Sequence, residues 1–547
     1  MPGNAASGAS QRPDQAPIPS AGQTVGDQLR ARAELDHPGL MTGDRIWSWR
    51  LVVAEAGRRA NAVRTLLDPK RPAHVGLLMG NTPEMLHALN AGALGGFVPV
   101  GVNTTRRGAA LAADLQRADC QLLLTDHAHH ALLSGLELPQ VRVIDTDAPD
   151  WTARWSRQPS VVAGAAETTE DATFMLIFTS GTSGAPKAVR MTHRMVVNSG
   201  GHLAKRFGIG PADVCYQSMP MFHSNAVVAG YAVALVSGAA LALAPRFSAS
   251  RFLPDIRRYG ATYLNYVGKP LAYVLRTPRR ADDAQNPLRV AFGNEASDRD
   301  IAEFAERFDT QVVDGFGSTE GAVLISRGED TPPGSIGTPW PGVAVYDRVT
   351  GKECPRAEFD ATGRVINLGE CVGELVNTTG PGYFAGYYGD PEATAERMSG
   401  GMFWSGDLAY RDESGYVYLA GRSGDWLRVD GENLAAGPLE QILLRHPAIS
   451  QAAVYGVPDP DAGDRLVAAL VLRDELTAEG FERFLNQQTD LSTKSRPQYV
   501  RICRELPSTA TNKVIKRELV SQGTDFTDDC WIRAERGTGY TLRERAR

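Results

Sequence analysis

Thr179-Ser180-Gly181-Thr182-Ser183-Gly184-Ala185-Pro186-Lys187 carries four hydroxyls, two glycines and one lysine in nine residues, with no bulky side chain. An apolar run over residues 174–178 precedes it and reads as a strand. Glycine lets backbone N–H groups approach a ligand closely, hydroxyls add donors, and lysine adds positive charge. The stretch therefore has the makings of a polyphosphate grip. It is not a Walker loop, because the Gly-x-x-x-x-Gly-Lys-Ser/Thr spacing is absent. The same composition suits a flexible linker. A linker, however, has no reason to lie between an apolar strand and the helix-like run that follows Met191.

The surrounding chain of 547 residues is long enough for two to four domains, each with its own core. A hydrophobic content of 43% and a charged content of 22% are ordinary for a globular protein. A net charge of −6 and the lack of any long basic run argue against a nucleic-acid partner. The six cysteines are scattered, with no Cys-x-x-Cys pair and no histidine cluster at metal spacing. Reduced thiols and a cytoplasmic location are expected. Residues 1–25 are expected as a disordered tail, rich in Ala, Gly, Ser, Pro and Gln and lacking a signal-peptide pattern. Residues 226–245 hold no charge, but they are mostly small, and Ser237-Gly238 divides them. A buried helix, turn and strand is expected there rather than a membrane span.

Helix-like and strand-like runs alternate from about residue 45 to residue 320, the pattern of parallel sheets covered by helices. Beyond about residue 334, Gly- and Pro-rich turns separate short strands at 343–346, 373–376 and 415–419, as in an antiparallel sheet or small barrel. A boundary is expected at Gly421-Arg422-Ser423-Gly424-Asp425, followed by a compact α+β domain. The expected organisation is a large α/β domain over 26–421, a junction at 422–425 and a small domain over 426–547.

Three further motifs carry chemistry. Asp314-Gly315-Phe316-Gly317-Ser318-Thr319-Glu320-Gly321 follows an expected strand at 311–313, at the end of a sheet where ligands bind. Thr319 has a donor for a phosphate and Glu320 a carboxylate for Mg²⁺. Ser405-Gly406-Asp407, followed by Gly421-Arg422, offers a carboxylate for ribose hydroxyls with arginine support. Leu506-Pro507-Ser508-Thr509-Ala510-Thr511-Asn512-Lys513 sets a lysine near the C-terminus.

In this order, the four motifs and the Gly-Arg-x-x-Asp junction resemble the adenylate-forming (AMP-binding) superfamily over roughly residues 45–520. That superfamily holds acyl-CoA synthetases, luciferases and the adenylation domains of peptide synthetases. Asn103-Thr104-Thr105-Arg106-Arg107-Gly108, Pro220-Met221-Phe222-His223-Ser224, Tyr266-Val267-Gly268 and Gly293-Asn294-Glu295 resemble its very-long-chain acyl-CoA synthetase and fatty-acid-transport-protein branch. The likeness is greatest to actinobacterial fatty-acid–CoA ligases.

The resemblance implies ATP, Mg²⁺, CoA and a small carboxylic acid as ligands. It implies that Thr179, Ser180, Gly181, Thr182, Ser183, Gly184 and Lys187 hold the β- and γ-phosphates. Thr319 and Glu320 would meet the α-phosphate and Mg²⁺, while Gly293, Asn294, Glu295, Asp314, Gly315 and Phe316, with Gly317 and Ser318 beside them, would line the nucleotide slot. Asp407 and Arg422 would hold the ribose, and His223 would lie by the carboxylate. Lys513 would bridge carboxylate and α-phosphate from a mobile small domain hinged at Gly424. Phe316 stands where relatives often carry Tyr, and Asn512 replaces the usual Gly before the lysine. The resemblance leaves several acids open: long or very long acyl chains, a sterol-side-chain or bile-acid-like acid, and a carnitine-type acid. It also admits a carrier protein as acceptor in place of CoA, and peripheral association with a membrane.

Overall fold

The computed structural model describes residues 24–164, 168–179, 186–328, 330–361, 363, 365–422, 426–429, 432–459, 463–491, 495–508, 514–524, 528–533 and 539–543. Two sheets dominate the large domain. In the first, the strands Arg142–Asp145, Leu122–Thr125, His74–Leu78, Val98–Gly101 and Thr173–Thr179 lie parallel in that order. Lys187–Thr192 closes it as an antiparallel edge. Strands such as His74–Leu78 and Leu122–Thr125 are buried at every residue. That is why they read as unbroken apolar runs and not as alternating ones.

The second sheet has nine strands. Its parallel centre runs Pro38–Thr42, Ala240–Leu243, Val214–Gln217, Tyr263–Val267, Val290–Asn294 and Gln311–Gly317. The uncharged segment feeds it as expected: a π-helix Ala226–Tyr231, an α-helix Ala232–Ser237 capped by Gly238, then the strand Ala240–Leu243. Among the described residues, no helix is long and apolar enough to cross a membrane.

One strand is longer than its sequence suggests. The expected strand at 311–313 continues to Gly317 and takes in half of the second motif. It pairs in parallel with Val290–Asn294 as far as Asp314. From Gly315 it pairs antiparallel with Leu324–Ser326. The glycines thus lie in a strand that changes partners, and the turn comes only at Ser318–Glu320.

Val343–Tyr346, Gly373–Asn377, Met402–Arg411, Met398–Ser399 and Val417–Arg422 form the expected antiparallel sheet. An isolated bridge between Gly337 and Val417 ties it to the large sheet's edge segment. The small domain is built on the antiparallel pair Ile449–Asp459 and Gly463–Leu472, with Tyr499–Cys503 parallel to the latter. The proposed hinge residue Gly424 lies outside the described residues.

Both ends of the described chain are built into the core. Of the expected tail, residues 1–23 lie outside the described residues. Residues 24 and 25 are ordered: Thr24 caps the helix Val25–Arg30 in a reciprocal capping box with Asp27, and Val25 is buried. The capping pair Thr24-x-x-Asp27 is the local reason. At the other end, Asp529–Ile532 adds to Tyr499–Cys503, and Thr541–Leu542 adds to Asp529–Ile532. Trp531 and Tyr540 pack on Phe481 with ring centroids 5.5 and 5.3 Å away. The C-terminal extension is therefore part of the small-domain core. Trp531→Ala should cost about 3 kcal/mol of that domain's stability, the scale of a buried Trp truncation, and urea unfolding of the full chain would read it.

Candidate active site

The opening motif connects the two strands of an antiparallel hairpin. Thr179 and Lys187 are register partners, which pins both ends of the loop. Ser180, Gly181, Thr182, Ser183 and Gly184 lie outside the described residues. Lys187 Nζ sits 5.2 Å from the centre of the Tyr387 ring and 3.8 Å from the Glu396 carboxylate.

Tyr387 joins that lysine to the second motif. Its hydroxyl donates to Glu320 Oε1 at 2.9 Å. Arg397 Nε donates to the same hydroxyl oxygen at 3.4 Å, and Arg397 Nη1 donates to the Trp404 carbonyl at 3.2 Å. Burial, and next the Glu320 charge, push the Tyr387 phenol upward, so it stays protonated and remains a donor. The sequence reading did not single out Tyr387. Its signal was an aromatic pair between two glycines, Gly386-Tyr387-Tyr388-Gly389.

The third motif lies on adjacent strands. Asp407 and Arg422 are direct register partners in an antiparallel pair, so the backbone sets the two expected ribose residues opposite each other. Gly406, at φ 78°, donates its N–H to Glu374 Oε1 at 2.6 Å. Lys513 lies outside the described residues; on either side of its segment, Ser508 and Val514 form a bridge. The small domain meets the large one where Arg299 Nη2 donates to the Ile449 carbonyl at 3.3 Å.

Beside these residues is a dense polar seam. The Ser224 and Thr319 hydroxyls are hydrogen-bonded at 2.9 Å, which brings the segment holding His223 against the second motif. That segment is anchored by Asn81, which donates to the Met219 carbonyl at 2.9 Å and accepts from the Met221 N–H at 3.0 Å. His223 lies against the Phe222 ring with centroids 4.5 Å apart. Gly293 and Asn294 end the strand Val290–Asn294. A Cβ on Gly293 would fall 2.4 Å from the Tyr266 carbonyl, so only glycine fits. Glu295 follows at φ 68°, a left-handed conformation that a non-glycine residue seldom adopts.

Gly315 and Phe316 are half-buried beside this seam, with Gly317 exposed. The Asp314 carboxyl faces inward, where Tyr266 donates its hydroxyl to it at 2.6 Å. Burial pushes Asp314 up to about 7, against a smaller downward pull from the Tyr266 hydrogen bond.

Among the described residues, no three His, Cys, Asp or Glu side chains gather as a metal cage. A lone partly buried carboxylate such as Glu320 fits Mg²⁺, which binds through one or two carboxylates and draws its other ligands from phosphates and water.

Residues 28–388 match the model of the AMP-binding enzymes. The chain belongs to the AMP-binding enzyme family. Residues 438–513 match the AMP-binding enzyme C-terminal domain. Among curated relatives, this AMP-binding enzyme is 50% identical over 513 residues to the medium/long-chain-fatty-acid–CoA ligase FadD17 of Mycobacterium tuberculosis, covering 93% of this chain and 98% of the relative. It is 43% identical to the steroid-22-oyl-CoA synthetase of Rhodococcus jostii, covering 91% of each. The fold is that of ATP-bound MatB from Rhodopseudomonas palustris, with a TM-score of 0.79 at 24% identity over 91% of this chain and 98% of the other. The AMP complex of o-succinylbenzoate–CoA synthetase from Bacillus subtilis gives 0.73 at 25% identity, over 90% and 97%.

Two outcomes follow for this AMP-binding enzyme. Tyr387→Phe keeps the ring beside Lys187 but frees Glu320. It should slow pyrophosphate release about tenfold, the scale of one charge-assisted hydrogen bond, and raise the Mg²⁺ needed for half-maximal rate. A Mg²⁺ titration of both proteins checks it. The Asp314 carboxyl has a raised folded pKa, so its protonated form favours folding. That contribution is complete below the unfolded value of about 3.9 and is lost as pH rises through about 7. Asp314→Asn should flatten this part of the fall in Tm between about pH 4 and pH 7.

Proposed function

We propose that the chain is an ATP-dependent acid–CoA ligase acting on a medium- or long-chain fatty acid. The carrying observation is the junction of Thr319 and Glu320 with Ser224 and Tyr387, in a chain half identical to a named medium/long-chain-fatty-acid–CoA ligase. A carboxylate oxygen of the acid attacks the α-phosphorus of ATP, and pyrophosphate leaves. The CoA sulfur then attacks the acyl carbonyl, and AMP leaves with the bonding pair. The first step gathers charge on phosphorus, so its catalysis is positioning and electrostatics.

In this reading the hairpin loop ending at Lys187 holds the departing pyrophosphate. Thr319 donates to the α-phosphate. Glu320, held by Tyr387, would hold Mg²⁺, which would neutralise phosphate charge. Asn294 and its neighbours border the nucleotide, with the ribose on Asp407 and Arg422. His223 borders the carboxylate. Lys513 bridges carboxylate and phosphate, and rotation about Gly424 exchanges the first half-reaction for the second. Six cysteines that are all buried and unpaired suit a reducing, cytoplasmic compartment.

The 43% identity to the steroid-22-oyl-CoA synthetase favours a steroid side-chain acid as the second reading. A pyrophosphate-release screen with graded fatty acids and steroid acids, with and without CoA, separates the two. The fatty-acid reading expects release with fatty acids and CoA-dependent turnover. Release with steroid acids alone supports the second reading, and no release with any acid overturns both. In the same assay, Lys513→Ala should lower acid-dependent release about 10²–10³-fold, yet still form thioester from supplied acyl-adenylate.

A further inference from the structure

The strand that carries the third motif breaks its register where that motif lies. Across the antiparallel pair Gly373–Asn377 and Met402–Arg411, Val376 faces Trp404 and Glu374 faces Leu408. Between those partners stand Leu375 on one strand and Ser405, Gly406 and Asp407 on the other. Three residues set against one make a bulge. Bulges recur beside active sites, where they re-aim a side chain. Here the residue re-aimed is the half-buried Asp407.

Side chains take up the backbone donors of the bulge. Gly406 donates its N–H to Glu374 Oε1 at 2.6 Å, and Asp407 donates its N–H to Ser405 Oγ at 3.1 Å. Glu374 is 4% exposed, and Arg348 Nη1 donates to both of its oxygens, at 3.3 and 3.2 Å. Arg348 in turn lies over the Trp404 ring, 4.9 Å from its centre. A hydrogen bond to an ionised, sheltered carboxylate is stronger and more directional than one to water. The backbone on which Asp407 stands is therefore fixed before any nucleotide arrives.

Arg397 holds the bulge from another side. Its Nη1 donates to the carbonyl of Trp404, the residue at which the bulge begins. A Cβ on Gly406 would fall 2.6 Å from the same Nη1, so the guanidinium packs directly against the glycine. The φ of 78° at Gly406 excludes a side chain as well. The Nε of Arg397 reaches the other way, to the Tyr387 hydroxyl that donates to Glu320. One guanidinium thus spans the carboxylate expected to hold Mg²⁺ and the loop that bears the carboxylate expected to hold ribose.

We propose that Glu374 and Arg397 are positioning residues: Glu374 aims Asp407 at the ribose hydroxyls, and Arg397 ties that contact to Glu320, so that sugar and metal are read together. This rests on the roles given to Asp407 and Glu320 in the ligase reading above. A site that hydrogen-bonds a substrate hydroxyl discriminates against the analogue lacking it. That discrimination requires Asp407 to be held in place, so it reports the aim of the carboxylate and not merely the stability of the sheet.

The test compares kcat/KM for ATP, 2′-deoxy-ATP and 3′-deoxy-ATP by pyrophosphate release, together with the Mg²⁺ needed for half-maximal rate. The wild-type protein should prefer ATP over at least one deoxy analogue tenfold or more. Glu374→Leu removes the acceptor and should bring that preference close to one without changing the Mg²⁺ requirement. Glu374→Gln keeps an acceptor oxygen for Gly406 and should retain the preference. Arg397→Met should lower the preference and raise the Mg²⁺ requirement in the same protein. If Glu374→Leu fails to fold, pairing it with Arg348→Met removes the cation left without its partner, and the pair is read in the same way. A preference unchanged when the Glu374 acceptor is removed overturns the role of Glu374. An unchanged Mg²⁺ requirement in Arg397→Met overturns the tie to Glu320. A wild-type protein indifferent to the sugar would instead overturn the assignment of Asp407 to the ribose, and no release with any acid would overturn the ligase reading itself.

Discussion

The site depends on three neighbouring parallel strands whose ends are fixed relative to one another. Tyr266 does most of this. Its carbonyl sits so close to Gly293 that no side chain fits between the strands, and its hydroxyl reaches past the middle strand to Asp314. Strand ends in a parallel sheet carry loops that bind ligands. Here they deliver Gly293 and Asn294 from one strand and Thr319 and Glu320 from the next. A slip of one residue in either strand would turn their side chains to the other face.

The elements of the large domain were legible because buried parallel strands are continuous apolar runs and the covering helices have a clear period. Pro83–Gly95 and Asp298–Phe308 are two of the helices in the alternating run expected over about residues 45–320. The extent of Gln311–Gly317 was not legible. Its glycine-rich second half pairs with a strand that comes later in the chain, and that pairing is a tertiary fact. The C-terminal strands escaped for the same reason, since the buried Trp531 and Tyr540 show their purpose only against Phe481.

For the site, motifs marked the residues expected to face a ligand, while the residues that hold them in place stayed hidden. Glu320 is marked by its neighbours in sequence. Tyr387, 67 positions later, touches it only in the fold. Asn81 and Asn225 are single asparagines whose value lies in having both a donor and an acceptor end. Each uses one end on a backbone carbonyl, which decides what the other end can do.

The same logic separates two kinds of control over the chemistry. The two charged groups expected at the phosphates are lightly held: Lys187 lies against the Tyr387 ring and 3.8 Å from the Glu396 carboxylate, and Glu320 accepts from the Tyr387 phenol. Among the described residues neither group is locked in a close ion pair, so a desolvated site would make the charge of each count toward a ligand. Along the Asn294–Asn225–Asn265 line the groups are neutral amides, whose energy lies in direction more than in charge. Field thus dominates at one end of this region and the orientation of single hydrogen bonds at the other. These two sets of groups can therefore vary independently, because changing a neutral amide leaves the potential around Lys187 and Glu320 nearly as it was.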